Sequence, residues 1–576
     1  MKTLTTSQQR AVDSNAQTIL TIAGAGSGKT HTVVERVLRL IEEGIDASKI
    51  VVITFTNAAA AELRKRLVIH ADGRNEPIEI RLGYCGTLHG FCVQFLRRFG
   101  DAVQIFDGFT IIDEDQSEIV LDQIVAELRY KGTKEALKEA LNVSLSWLAY
   151  DLSNRATEPE LIVAKTYINT LLAANALDFD LLLAVTLRRV KMFDATTPVS
   201  AFHFTHLFVD EYQDSGDYDA ELYDAFPFTD RFFVGDTDQA IYSFRGGNIS
   251  NIVSLAAGLY DKSLIVLEEN FRCARSICES AQRLIEHNRD RYPKRTISAV
   301  DKVGEIEVMC SRDADSELRS IARKIIDAGI KDDCAVLFAT NALCERAVEV
   351  FQKDFSIEIK AKGLGDIPKD WNKARALMAF AINPDNDLLA RSLLTSIHGP
   401  VIARRMYSGA QIEMISVNQH IKLLSAPIET RQELLSYLSV QGISAESITK
   451  IEEITAKLPL GATLLDMVVA VNRDAFHRDE KGTGIVVTTF HSAKGREWST
   501  VFLGACEETI TPSTRGDIEE QRRLFYVAMT RAKERLFVST AVNRCPPFKF
   551  KSEPTQSSRF IEEAGLSRVC KVSATL

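Results

Sequence analysis

Short runs of consecutive apolar, β-branched residues alternate along this chain with stretches in which apolar residues recur every three or four positions. That is the pattern of buried parallel strands joined by amphipathic helices. Thr18–Ile22 is the first such run; it enters a glycine-rich turn at Gly24, Gly26 and Gly28 and then a helical spacing through Val33, Val34, Val37, Leu38 and Leu40. Phe204–Val209 is a second strand, and further strands are expected at Glu305–Met309, Cys334–Phe338, Ile485–Thr489, Val501–Gly504 and Leu536–Ser539. Residues 113–130 and 134–152 carry helical periodicity. The expected fold class is α/β, with two doubly wound parallel-sheet lobes, each interrupted by a mainly helical insertion.

The segment AGAGSGKT, residues 23 to 30, sits between that first strand and its helix. Strand, glycine loop and helix are the context of a phosphate-binding loop, in which backbone N–H groups and the helix N-terminus face an anion. Ala25, Gly26, Ser27, Gly28, Lys29 and Thr30 are the expected nucleotide contacts; Lys29 would reach the β- and γ-phosphates and the Thr30 hydroxyl would ligate Mg²⁺. Ala23 stands where the strict pattern has its first glycine, which requires ordinary backbone dihedrals there. The strand ending at Val209 runs directly into Asp210-Glu211. Adjacent carboxylates at a strand end suit nucleotide hydrolysis, with Asp210 holding the metal and Glu211 polarising water. ATP and Mg²⁺ are therefore the expected cofactors.

Composition narrows the picture only modestly. At 576 residues several domains are expected, and the N-terminus is polar with no apolar run of membrane length. Ten cysteines stand without a C-x-x-C pair, the nearest being Cys85/Cys92 and Cys273/Cys278, which argues against a zinc or iron–sulfur site. The net charge of −9 speaks against tight nonspecific duplex binding. A local basic groove remains open through Arg64, Lys65, Arg66, Arg97 and Arg98.

Several further motifs follow in order: LTTSQQRAV (4–12), TFTN (54–57) followed by AAAAELRKR, GTLH (86–89), VGDTDQAIYSFRGG (234–247), LEENFRCARSI (267–277), VVTTFHSAKGREW (486–498) and VAMTRAK (527–533). Together with the phosphate loop they resemble UvrD/Rep-type superfamily-one DNA helicases, in a compact form similar to the helicases of Gabija-type defence systems. The resemblance implies that Gln8 reads adenine, that Arg36 adds a nucleotide contact, that Phe271 stacks on the base and that Glu497 joins DNA grip to nucleotide. It implies that Gln239 senses the γ-phosphate, while Arg272 and Arg531 reach it from the second lobe. Lys29, Glu211, Gln239, Arg272 and Arg531 form the implied catalytic set. The implied DNA contacts are Phe55, Thr56, Asn57, His89, Tyr242, Phe244, Arg245, Thr489 and His491.

The resemblance assigns residues 1–93 and 190–280 to a first RecA-like lobe, 94–189 to its insertion, 281–365 and 479–576 to a second lobe, and 366–478 to the second insertion. It implies a 3′–5′ motor on single-stranded DNA and single-strand/duplex junctions, in a bacterial cytoplasm, without a membrane partner. SIHGPVIARR (396–405) replaces the family's duplex-contacting loop, and Phe548 stands where family members carry a junction wedge. No segment of nuclease size remains. A second reading is a DNA-sensing ATPase subunit that feeds or regulates a partner nuclease, or another repair or defence protein.

Overall fold

The computed structural model describes residues 4–69, 78–106, 108–150, 158–192, 202–361, 368, 370–382, 393, 430–458, 462–474, 484–544, 553–566 and 570–572. The segment 396–405 and Phe548 lie outside the described residues, as does the side chain of Arg245.

Parallel strands buried on both faces must be covered by helices on both faces, and two such sheets form here. The first runs Leu264–Leu267, Thr18–Ala23, Asp230–Gly235, His206–Val209, Ile50–Ile53 and Tyr84–Gly86, each neighbouring pair parallel. The second runs Ile359–Ala361, Ile485–Thr489, Cys334–Phe338, Trp498–Leu503, Ala532–Arg544, Glu305–Asp313 and Cys570–Val572, again parallel throughout. Glu553–Pro554 adds an antiparallel pairing to the Ala532–Arg544 strand. The fold is the mixed α/β arrangement of two RecA-like lobes. The phosphate loop leaves the C-terminal end of Thr18–Ala23 and both carboxylates leave that of His206–Val209, with Asp230–Gly235 between the two strands; the C-terminal ends of strands are where open α/β sheets place their ligands.

Strands such as Ile50–Ile53 and Tyr84–Gly86 fall outside the expected set. Runs this short cannot be separated from buried helix by periodicity alone. The helix Leu88–Phe99 runs through the boundary expected at 93 and packs against Phe179–Lys191. The helix Arg275–Ile285 lies in the second lobe's core, with Ile277 and Leu284 beside Phe525 and Val538, and Cys273 joins the same core, so Arg272 goes with the second lobe although the first was expected to extend to 280.

The insertions are helical. Glu114–Glu127, Lys134–Ala149 and Pro159–Ala173 form the first, and Trp371–Ile382, Arg431–Val440, Ala445–Thr455 and Leu464–Asp474 are the described helices of the second. Trp371, Phe380 and Leu465 of the second share one continuous apolar cluster with Phe109, Leu137 and Phe233 of the first half of the chain. A buried ion pair, Arg375 to Asp113 at 2.9 Å, crosses that junction.

This docking changes the basic groove anticipated from the sequence. Arg64 donates to the carbonyls of Cys85 and Lys457, and Arg97 pairs with Asp466 at 3.4 Å. Arg66 pairs with Glu62 on its own helix. Arg64 and Arg97 thus tie the first lobe to the second insertion, because their charges find fixed oxygen partners there.

Candidate nucleotide site and aromatic track

The phosphate loop works because of where its glycines fall. Gly26 and Gly28 adopt φ of +67° and +82°. A Cβ on Gly26 would stand 2.6 Å from the Cβ of Arg272, and one on Gly28 would stand 2.7 Å from the Gln8 amide nitrogen. Both positions need glycine for conformation and for space. Ala23 is the last residue of its strand, paired with Leu267, so an alanine is accommodated there.

At the head of the loop Lys29 Nζ donates to Glu211 Oε2 at 3.0 Å, and Thr30 Oγ1 donates to Asp210 Oδ2 at 3.3 Å. Glu211 sits in the left-handed region at φ +58°. Such a conformation costs about 1–3 kcal/mol in a non-glycine residue and persists where the surroundings enforce it. Here the Glu211 N–H is bound by Asp210 Oδ1 at 2.9 Å, and the twist turns the carboxylate toward Lys29. Burial, then the neighbouring Glu211 charge, raises the Asp210 carboxyl above its ordinary range. Burial acts upward on Glu211 as well, but the charges of Lys29 and Lys494 with hydrogen bonds from Gln213 and Lys29 outweigh it and hold Glu211 low. The pair is thereby split, which is how neighbouring carboxylates take different roles. Burial also acts against the Lys29 ammonium, yet Glu211, Asp236 and Asp210 together raise it.

The second lobe contributes two arginines. Arg272 donates to Glu497 at 2.6 Å and to the Thr530 carbonyl at 3.4 Å. Arg531 is 1% exposed and donates to the Val527 and Arg496 carbonyls, the Thr530 hydroxyl and, at 3.3 Å, the Gln239 side-chain oxygen. Among the described residues it has no carboxylate partner. Burial, then the adjacent Arg272 charge, lowers its guanidinium to about 9. A buried cation without a counter-ion is costly, so this position favours an anion. Gln239 is held from the other side: its amide donates to Asp236 Oδ2 at 2.5 Å, and Asp236 is bound in turn by Lys294 at 2.6 Å.

Gln8 and Phe271 flank the loop. The Gln8 amide accepts from Thr5 N at 3.0 Å and donates to the Ser27 carbonyl at 2.9 Å, tying the Thr6–Asp13 helix to the loop. Phe271 N donates to the Gly26 carbonyl at 2.9 Å while its ring is half exposed.

Arg36 requires a correction. Its guanidinium turns to the Thr6–Asp13 helix, where Nη1 donates to the carbonyls of Ala11, Val12 and Ser14 at 3.0, 2.8 and 2.9 Å. It also lies 5.1 Å from the Phe232 ring centroid. Those carbonyls are the unsatisfied end of a helix, and Arg36 caps them instead of facing the nucleotide. Arg36→Met is expected to lower the thermal midpoint while leaving nucleotide affinity within about threefold. Each buried carbonyl left unpaired costs about 1–3 kcal/mol. A wild-type melting curve measured beside it would overturn the capping assignment.

The residues expected to face DNA form an aromatic track. Phe55 stacks on Tyr242 at 4.9 Å and 16°, Tyr242 meets Phe244 at 6.0 Å, and Phe244 meets His491 edge-on at 5.4 Å. His491 comes from the second lobe, so the track crosses between lobes. Phe244 is 61% exposed, unusual for a ring of that size, and offers a stacking face. His89 packs edge-on against Phe179 at 5.2 Å. Thr56 caps the Asn57–Arg66 helix, and the Thr489 hydroxyl accepts from Ser492 N. Asn57 is buried and lines a cavity with Arg64 and Asp466.

Sequence reasoning missed Lys294, Arg291 and Lys494. Lys294 is fully buried between Asp236 and Asp238, and Arg291 holds Asp238 through two contacts of 2.8 Å. Their partners lie more than fifty residues away in the chain, and no local pattern announces such pairings.

Two parallel-sheet lobes meeting around a phosphate loop, one supplying the loop and the other two arginines, define a protein of the two-lobed RecA-like class. The chain belongs to the UvrD/Rep helicase family: the UvrD/REP helicase N-terminal domain matches residues 4–258 and the UvrD-like helicase C-terminal domain matches residues 425–543. Among its relatives is a protein named ATP-dependent DNA helicase PcrA from Staphylococcus epidermidis, 28% identical over an alignment covering 98% of this chain and 86% of the relative. Proteins of the same name from Bacillus subtilis and Staphylococcus aureus are also 28% identical, covering 96% and 97% of this chain and 85% and 86% of those relatives.

Proposed function

We propose that this protein is an ATP- and Mg²⁺-dependent motor that tracks single-stranded DNA from 3′ to 5′ and displaces the complementary strand ahead of it. The observation that carries this reading is Arg531. It is a buried guanidinium with no carboxylate partner among the described residues, delivered by the second lobe beside Arg272 and Gln239, with Lys29 and Glu211 on the first lobe. A γ-phosphate between them would supply the missing negative charge and draw the two lobes together.

Thr30 and Asp210 fit a divalent cation: both present hard oxygen donors, and burial beside Glu211 leaves Asp210 in need of positive charge. When bound, Mg²⁺ supplies electrostatic neutralisation of the phosphate oxygens. The protein's own groups do the rest. Lys29 holds the phosphates, Glu211 accepts a proton from the attacking water, and Gln239, Arg272 and Arg531 stabilise the charge spreading over the transferred phosphoryl group. Gln8, Phe271 and Glu497 would take the base and ribose, a role supported by the contacts of Gln8 and Phe271 with loop carbonyls and of Glu497 with Arg272. Because the aromatic track also crosses between lobes, any closure around nucleotide slides Phe244 and His491 relative to each other, and single-strand stacking on such rings is worth about 1–3 kcal/mol per base.

The direct test is strand displacement on a duplex with a 3′ tail, with ATP hydrolysis followed in the same reaction. Displacement that requires ATP, Mg²⁺ and the 3′ tail is expected. Displacement from a 5′-tailed duplex alone would reverse the polarity. DNA-stimulated hydrolysis with no displacement on either substrate would remove autonomous unwinding from the reading.

A further inference from the structure

Lys494 lies in the HSAKGRE segment just after the Ile485–Thr489 strand of the second lobe, yet its side chain is spent on the first lobe. It is 8% exposed, and its ammonium pairs with Asp214, itself 1% exposed. The same nitrogen donates to the Gln239 carbonyl at 2.9 Å and stands 4.8 Å from the centroid of the Tyr242 ring.

Asp214 ends the turn that begins with the paired carboxylates. Its Oδ2 also accepts from Gln213 Nε2 at 3.3 Å, and that nitrogen donates to Glu211 Oε2 at 2.5 Å. Gln213 is fixed in turn because its side-chain oxygen accepts from Asp236 N at 2.8 Å. One unbroken series of contacts therefore runs from Lys29 through Glu211, Gln213 and Asp214 to Lys494, and then through Tyr242 to Phe55. A cavity alongside it is lined by Asp210, Glu211 and Asp214 together with Phe55 and His89, so the carboxylates and the aromatic end border one space. Within the series, Lys494 is the member from the second lobe, and it touches the first lobe on both sides, through Asp214 and through the Tyr242 ring.

Burial makes the link sensitive to separation. A buried charge is tolerated when paired and costly when its partner leaves. Burial raises the Asp214 carboxyl to about 6 despite the opposing pull of Lys494. Among the described residues Asp214 Oδ1 is buried without a hydrogen-bond partner, and the carboxylate is held through Oδ2 and its two donors.

We propose that the Lys494–Asp214 pair is a cross-lobe latch that transmits the nucleotide state at Lys29 and Glu211 to the Phe55–Tyr242 stack, which makes Lys494 a positioning residue for DNA coupling. The proposal rests on the motor reading above and assigns the transmission element within it. Among the described residues the Arg291–Asp238 pair, also between distant segments, shows no such contact with the aromatic track.

The test compares full-length wild type with Lys494→Met, Asp214→Asn, the double variant and Lys494→Arg. ATP hydrolysis is measured without DNA and across a titration of a 20-nucleotide oligo-dT, with folding followed by thermal melting. The expected result is a fall of at least tenfold in the ratio of DNA-stimulated to DNA-free hydrolysis in each charge-removing variant. The double variant should be no worse than the singles, since both break the same pair, and Lys494→Arg should recover most of the ratio. An unchanged ratio in Lys494→Met overturns the latch, as does a parallel fall in both rates at constant ratio, which marks mere support of the nucleotide site. If Lys494→Met melts below the assay temperature, Asp214→Asn and Lys494→Arg decide by the same criterion, because each keeps the side-chain volume. A wild-type protein that shows no stimulation by oligo-dT overturns the motor reading itself, an outcome visible before any variant is compared.

Discussion

Arg531→Ala is expected to reduce DNA-stimulated ATP hydrolysis by about 10³–10⁵-fold while nucleotide binding falls far less. The factor is that of an arginine acting on the charge of a transferring phosphoryl group. The geometry gives the reason for the separation between binding and turnover. Lys29, Gln8 and the loop glycines belong to the first lobe and remain intact in the variant, whereas Arg531 arrives from the second lobe and meets the first through Gln239 at 3.3 Å. In the proposed mechanism its loss removes a group that acts on the reacting phosphate after the first lobe has taken hold. Arg531 also binds the Val527 and Arg496 carbonyls, so part of any effect is structural. Arg531→Met, which restores volume without charge, separates the two causes. Binding of a fluorescent ATP analogue, single-turnover hydrolysis and a melting curve are measured on both. Equal losses in affinity and turnover would show that Arg531 grips ground-state nucleotide and has no special role in the transition state.

Glu211→Gln is the second large effect, with turnover expected to fall by about 10²–10⁴-fold, the typical contribution of a positioned general base. The substitution keeps shape and hydrogen bonding and removes only the charge and the basic site. Because the pair is electrostatically split, the roles are distinguishable. Asp210 is pushed upward by burial and the Glu211 charge, while Glu211 is held low by Lys29 and Lys494 against its own burial. Removing the Glu211 charge frees Lys29 for phosphate, so nucleotide affinity should hold or rise as turnover collapses. If Asp210 were the base instead, Glu211→Gln would hydrolyse at near wild-type rates, with the ion pair to Lys29 reduced to a neutral hydrogen bond. Rapid-quench hydrolysis beside an equilibrium binding titration tells these apart.

Much of the nucleotide site was legible because its chemistry is contiguous. AGAGSGKT must follow a strand and open a helix to work, and Asp210-Glu211 must follow a strand end, so local sequence contains the local geometry. The strand cores were legible for the same reason: Cys334–Phe338 and Ile485–Thr489 are apolar on both faces and were expected at their observed limits. Short edge strands such as Ile359–Ala361 were not, since three residues carry no period. Arg36 was misassigned because its position on the loop's helix says nothing of which way a long side chain turns. Three carbonyls at the end of a neighbouring helix settled that. Arg64 and Arg97 looked like a nucleic-acid groove until the second insertion supplied the Lys457 carbonyl and Asp466 as partners.

The sequence by itself determined two parallel-sheet lobes, a phosphate loop and the ordered motifs of the UvrD/Rep family, because periodicity and motif spacing are properties of neighbouring residues. Tertiary structure alone decided which charges are spent and which are left open. Arg36, Arg64 and Lys294 are satisfied by oxygens far away in the chain, Arg531 keeps a buried positive charge beside Gln239, and Lys494 crosses from its own lobe to Asp214. A charge in an aqueous chain has no preferred partner. Burial gives it one, since desolvation makes an unpaired ion costly, and only the folded packing of distant segments determines which oxygen is near enough to answer.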